Sequence, residues 1–344
     1  MLDLSNDVDD GRREYLAEHN VEKVLVAAVS RIISERPQDP VAALGQMLIK
    51  PKHGFVSYTD WPPDRKRFIS HARPHERPPS HSADKVHAAF KPCIDLHDGA
   101  VKQIVGSSLS DDPTKGPVTN FESSKPSEHY AAMYRDDRLG GGHVIMLGKG
   151  NEAAAKAALR AYPRGLQVGG GITPTNAPEY IAAGASHVIV TSYVFRDGAL
   201  DRSRLAEIVG AVGRSRLVLD LSCRRREPGG PYFVVTDRWQ KFTSLALSAE
   251  TLAELATHCD EFLVHAVDVE GKQSGVQEDL VTALGAWSPI PVTYAGGARS
   301  IADLELVSKL GRGKVDLAIG SALDIFGGGL PYASVVAWSR ERGM

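Results

Sequence analysis

Cysteine is scarce in this chain: Cys93, Cys223 and Cys259 are the only 3 in 344 residues. The number is odd, the spacing is wide, and no pair stands at a metal-ligand interval. That argues against a disulfide framework or a metal site, and for reduced thiols in a cytosol-like compartment. Long apolar runs are also missing, so no membrane-spanning helix is expected. An excess of one charge is missing as well. Charged residues make up 24 % and the formal net charge is −2, which leaves no electrostatic case for nucleic acid or a membrane surface as partner. The first ten residues are acidic, unlike secretory or organelle-import leaders, so a cytoplasmic location is expected.

What is present divides into three segments. Over residues 12–49, Leu16, Val21, Val24, Leu25, Ala28, Val29, Ile32 and Ile33 recur three and four apart, as on one helix face. Pro37 and Pro40 interrupt that helix, and Asp39-Pro40 opens a second one carrying Val41, Leu44, Leu48 and Ile49. A two-helix segment of roughly 40 residues has too little core to stand alone, and the simplest partner is a second copy of itself. Residues 50–87 read as a flexible linker, with Pro51, Pro62, Pro63, Pro74, Pro78 and Pro79 set among His, Arg and Lys. Phe55, Tyr58, Trp61 and Phe68 within it are either sticky disorder or a docking segment.

From residue 88 to 344 short apolar runs alternate with helical stretches. Strands are expected at 91–96, 143–147, 166–170, 187–192, 216–222, 261–268, 290–295 and 315–320. Helices are expected at 151–161, 177–183, 249–258, 301–310 and 332–340, among others. Thr173-Pro174 reads as a helix cap with a first-turn proline, and Ser300 with Asp303 as a capping box. The number and length of these pairs fit a closed (β/α)8 TIM barrel, with an open doubly wound sheet as the alternative.

The second half of this domain repeats the first at an offset of about 125 residues. Asp95 closes the first expected strand and Asp220 the fifth. Val168-Gly169-Gly170-Gly171 matches Tyr294-Ala295-Gly296-Gly297, and Val190-Thr191-Ser192 matches Ile319-Gly320-Ser321. In a barrel of two similar half-barrels the two aspartates face one reacting centre from opposite walls. One can then take a proton while the other gives one. Glycine and hydroxyl loops leave backbone N–H groups open to anions. Gly170, Gly171, Thr191 and Ser192 would grip one phosphate, and Gly296, Gly297, Gly320 and Ser321 a second, so a small bis-phosphate is the expected ligand. Trp239 either folds over the site and stacks on a planar ring or packs on its own neighbours. His265 either points at the substrate or belongs to the wall. Cys93 and Cys223 read as packing residues, since no His–Asp arrangement near them supports activation.

These residues form a series. Lys91-Pro92-Cys93-Ile94-Asp95-Leu96, Gln103-Ile104-Val105-Gly106, Gln167-Val168-Gly169-Gly170-Gly171-Ile172, Asp220-Leu221-Ser222-Cys223-Arg224, His265-Ala266-Val267-Asp268-Val269-Glu270-Gly271 and Tyr294-Ala295-Gly296-Gly297 together resemble the ProFAR isomerases of histidine biosynthesis in their eukaryotic form. The resemblance spans residues 88–344. It implies a (β/α)8 barrel that performs an Amadori rearrangement of an aminoaldose to an aminoketose with neither metal nor organic cofactor. It implies Asp95 as the base at C2 of the ribose and Asp220 as the acid that opens the furanose, and it assigns the two phosphate grips to the loops named above. Where bacterial members carry Thr-Asp, this chain has His265-Ala266, and the bacterial arginine after the third-strand glycines is replaced near Thr173.

Residues Glu14-Tyr15-Leu16, His19-Asn20-Val21-Glu22 and Arg36-Pro37-Gln38-Asp39-Pro40 resemble the dimerization/docking module of the DPY-30 or protein-kinase-A regulatory-subunit type. That resemblance implies a four-helix homodimer whose groove takes an amphipathic helix of unknown source. A hairpin packed on its own barrel is the alternative. Two rival functions stand beside the isomerase: the cyclase barrel of imidazole-glycerol-phosphate synthase, and an inactive barrel serving as a scaffold. Lys102-Gln103-Ile104-Val105-Gly106, the long segment Arg224–Trp239 and the ending at 315–324 favour the isomerase.

Overall fold

The computed structural model describes residues 87–104, 119–237 and 239–343. The expected helix pair at 12–49, and the linker at 50–87 apart from His87, lie outside the described residues.

The chain enters at β1 (Phe90–His97) and turns through Asp98-Gly99 into β2 (Ala100–Ile104), which pairs with β3 (Thr119–Glu122). Both turn residues have positive φ, as a tight two-residue hairpin requires. Then follow α1 (Ser127–Asp136), β4 (Gly142–Met146), α2 (Glu152–Ala161), β5 (Leu166–Gly169), α3 (Ala177–Ala182) and β6 (Val188–Val190). A small hairpin, β7 (Phe195–Arg196) and β8 (Ala199–Leu200), precedes α4 (Arg202–Val212) and β9 (Leu217–Asp220). Next comes a separate antiparallel sheet of β10 (Cys223–Arg225), β11 (Tyr232–Thr236) and β12 (Lys241–Ala246). The chain closes with α5 (Ala249–Leu255), β13 (Glu261–His265), α6 (Glu278–Trp287), β14 (Val292–Ala295), α7 (Ile301–Leu310), β15 (Val315–Ile319) and α8 (Tyr332–Glu341).

Strands β1, β4, β5, β6, β9, β13, β14 and β15 pair in that order, each parallel to the next, and β15 pairs back onto β1 from Phe90↔Leu317 to Pro92↔Ile319. This is a closed (β/α)8 barrel, and the open-sheet alternative falls. All eight expected strands are present; β1 runs one residue further at each end, and the others stop short at one or both ends. The strand expected to run to 268 stops at His265, because Ala266 bridges to Cys223 and the chain then turns. The capping box at Ser300 and Asp303 is formed. The helix start expected at Thr173-Pro174 is displaced. Thr173 and Asn176 exchange backbone-to-side-chain hydrogen bonds of 2.8 and 3.4 Å around a turn, and the helix begins at Ala177.

The barrel strands are buried on both faces because one side meets the helices and the other the barrel axis. Leu217, Leu219, Phe262 and Val264 join the large core under the helices. Their alternates Val218 and Leu263 join Ile189, Ala295 and Ala318, with Ile145 packed against them, in a separate inner cluster. Two residues before this inner layer lies a polar floor. There Glu261 accepts from Gln167 at 2.7 Å and from Thr293 at 2.6 Å, and Asp316 meets Lys91 at 3.5 Å. Two residues after it come Thr191, Asp220, His265, Gly297 and Gly320. A period of two puts all five on the axis-facing side, at the C-terminal mouth.

Candidate active site

Asp95 and Asp220 stand at the ends of β1 and β9, strands four places apart in the ring of eight, and both line one cavity of about 300 Å³. Gly170, Gly171, Thr191, Ser192, Gly296, Gly297, Gly320, Ser321, Trp239 and His265 line the same cavity. Every residue expected from the sequence to form the site therefore lines one mouth.

The two carboxyl groups sit in different surroundings. Asp95 is half-buried, and Gln103 Nε2 donates to its Oδ2 at 3.0 Å. Burial, reinforced by Glu270, pushes the Asp95 carboxyl up to about 7, against the opposing pull of His265 and the Gln103 amide. Asp220 accepts from the Ser222 N–H at 2.9 Å and the Ser222 hydroxyl at 2.7 Å on Oδ1, and from the Thr191 hydroxyl at 3.0 Å on Oδ2. His265 Nδ1 lies 3.4 Å from Oδ1. Burial alone would raise the Asp220 carboxyl. The charge and hydrogen bond of His265, with the Ser222 and Thr191 hydroxyls, outweigh it and hold the group below its ordinary value. The reciprocal holds at His265. Burial would lower the imidazole, but Asp220, then Glu270 and Asp95, raise it to about 9.

The anion grips mirror one another. Among the described residues, no acceptor takes the backbone N–H of Gly171 or Ser192 in one half, or of Gly297 or Ser321 in the other. Gly170 and Gly297 take positive φ, and a Cβ on either would strike a backbone carbonyl, that of Met146 or Gly275. Thr191 departs from expectation: its hydroxyl is committed to Asp220, so only its backbone remains for a phosphate. Trp239 lies at the tip of the β11–β12 hairpin with φ 68°, and its ring centroid is 5.6 Å from that of His265. Burial pushes the thiols of Cys93 and Cys223 up, and that of Cys259 to about 12, which fits packing roles.

Sequence reasoning missed Gln103, Ser222 and Glu270 as site residues. Gln103 had a signal, since an Asp-Gly hairpin turn folds it back beside Asp95. Ser222 had one too, because a serine two residues past a carboxylate caps it locally. Glu270 had none: its half-buried side chain reaches the cavity only through the loop after β13.

The family described as "Histidine biosynthesis protein" matches residues 90–328, from the first barrel strand to beyond the last. The chain belongs to that family. Among its relatives is the chloroplastic 1-(5-phosphoribosyl)-5-((5-phosphoribosylamino)methylideneamino)imidazole-4-carboxamide isomerase (ProFAR isomerase) of Medicago truncatula. It is 57 % identical over 258 residues, covering 74 % of this chain and 82 % of the relative. Proteins of the same name from Neurospora crassa and Saccharomyces cerevisiae are 51 % and 46 % identical, each over 74 % of this chain and 99 % of their own length. Like these family members, the chain is an enzyme, an isomerase. The family match covers all eight barrel strands and leaves residues 1–89 and 329–344, with α8, outside it.

Proposed function

We propose that this isomerase converts ProFAR, an aminoaldose, into the aminoketose PRFAR by an Amadori rearrangement. The observation that carries this reading is one cavity with Asp95 and Asp220 on opposite walls, flanked by two pairs of open backbone N–H groups. A substrate with a phosphate at each end would span the mouth and hold its reacting ribose between the aspartates. Asp95 keeps oxygen lone pairs open to the cavity and acts as the base at C2. A carboxyl raised to about 7 is a far stronger proton acceptor than an ordinary one. Asp220, on the opposite wall, serves as the acid that protonates the ring oxygen and opens the furanose. Acid–base chemistry of this kind requires neither metal nor organic cofactor.

Incubation of the purified full chain with ProFAR, followed by mass-resolved chromatography, should show PRFAR accumulating. Asp95→Asn should reduce turnover by about 10²–10⁴-fold. Absence of PRFAR, or full activity in Asp95→Asn, overturns the reading. The same assay run with the cyclase substrate tests the rival barrel, which shares both aspartates and all four loops. The names and identities of the relatives favour the isomerase. Intact aspartates and grips speak against an inactive scaffold.

Two further parts of this reading concern the whole chain. Residues 12–49 serve as a homodimerizing helix pair whose groove accepts an amphipathic helix. The compartment is a reducing one, the cytoplasm, as the free thiols suit. The Medicago relative is named chloroplastic, which makes a plastid the alternative. Among the described residues, no helix is long and apolar enough to cross a membrane.

A further inference from the structure

We propose that Gln103 is the positioning residue of the base: its side-chain amide turns the Asp95 carboxyl toward the cavity and keeps it able to accept a proton. The inference rests on the isomerase reading and deepens it at the Asp95 wall.

The strand that carries Gln103 is not one of the eight in the ring. β2 leaves β1 through the Asp98-Gly99 turn and pairs with β1 and β3. Lys102 faces away from the barrel, its Nζ 3.6 Å from Asp98 and 3.4 Å from Glu122. Strand alternation then turns Gln103 the other way, toward the mouth. The ladder slips between Gln103 and Ile104, where one step on β2 meets two on β3. Such bulges re-aim side chains and recur beside active sites. The result is a glutamine only 4 % exposed that lines the cavity. A buried amide needs partners, and this one meets the base.

Its geometry suits that task. Gln103 Nε2 donates to Asp95 Oδ2 at 3.0 Å, and among the described residues no other group hydrogen-bonds to the Asp95 carboxyl. Oδ1 is thereby left for substrate. A carboxylate only accepts, so the amide presents its N–H and turns Oε1 away. A protonated Oδ2 would find no acceptor there, so the contact favours the ionised group. Gly320 makes room for the amide. A Cβ at Gly320 would lie 2.9 Å from Gln103 Oε1 and 2.6 Å from Cys93 Sγ. Gly320 does not take positive φ, so its neighbours, and not its backbone, require glycine. A residue expected to grip phosphate thus also clears space beside the base.

The titratable groups around Asp95 pull in opposite directions. Glu270, from the loop after β13, disfavours the ionised carboxyl, as burial does, while His265 from β13 favours it. Cys93 on β1 and Tyr134 on α1 also stand within electrostatic reach, and burial keeps both protonated. Gln103 adds to the favourable side without adding a charge.

The test compares the pH dependence of kcat and KM in the full chain with that of Gln103→Met and Gln103→Glu. The Asp95 carboxyl is followed in the same proteins by carbon NMR, its signal identified by its loss in Asp95→Asn. A base must be ionised, so wild-type turnover should rise with pH through about 7. Methionine keeps the volume and removes the donor. Losing a hydrogen bond to a charged group should move both the rising limb and the carboxyl titration up by about one pH unit. Turnover at pH 7 should then fall about fivefold with KM little changed. Glutamate also keeps the volume, and its like charge should move both at least as far. A limb and a carboxyl signal that stay at the wild-type positions in Gln103→Met overturn the proposal. If that variant does not fold, the same outcome in Gln103→Glu overturns it. A raised KM with an unmoved limb also overturns it and makes Gln103 a substrate contact. Those outcomes leave the isomerase reading standing. Wild-type protein inert toward ProFAR removes that reading instead, and the carboxyl titration still decides the role of Gln103.

Discussion

At the scale of single residues, the site consists of a few side chains whose environments differ more than their chemistry. Asp95 and Asp220 are the same residue at matching half-barrel positions. One is pushed up by burial and by Glu270, and the other is held down by His265 and two hydroxyls. The glycines are as demanding as the acids. Gly297 takes φ 77°, and a Cβ there would strike the Gly275 carbonyl. Gly297→Ala should therefore destabilise the barrel by about 1–3 kcal/mol and raise KM more than it lowers kcat. Urea unfolding and steady-state kinetics measure both. An unaltered KM would remove Gly297 from the phosphate grip. Asp95, Asp220 and the four loops were legible from a half-repeat, because a constant offset along the chain preserves strand position. Glu270 was not legible, since a loop carries its side chain into the cavity and no period predicts where a loop residue points.

At the scale of elements, alternation along each barrel strand does most of the positioning. The apolar inner layer of Ile189, Val218, Leu263, Ala295 and Ala318 separates a polar floor from the reactive mouth, each two residues away. The strands could be read as continuous apolar runs because both of their faces are buried. Which face is inward could not be read, since alternation is hidden when both are apolar. The β10–β11–β12 sheet was legible only as a long segment after β9. Its hairpin tip, with Asp237 and Trp239 in positive φ, brings the indole over His265. That geometry suits a ring stacked on the imidazole of the proposed substrate. Trp239→Ala should raise KM about tenfold with a smaller effect on kcat. Quenching of tryptophan fluorescence by PRFAR should weaken in parallel. Equal KM values would leave Trp239 as a packing residue of its own hairpin.

At the scale of the whole molecule, the eight strands of the barrel lie between Phe90 and Ile319. β1 begins at Phe90 and closes against β15, so the ring is complete without what precedes it. A chain beginning at residue 88 should keep full ProFAR turnover and sediment as a monomer, while the full chain sediments as a dimer. A dimer of unchanged strength in the shortened chain would refute dimerization through residues 12–49. The sequence by itself determined the alternation of eight strands with helices, the half-repeat and the residues at the strand ends, because these follow from local periodicity and spacing. Only the tertiary structure decided that the ring closes, that Thr191 serves Asp220, and that His265 stands beside Asp220. Each of those depends on distance between strands remote in sequence, and electrostatic energy and hydrogen bonding are set by that distance and by burial.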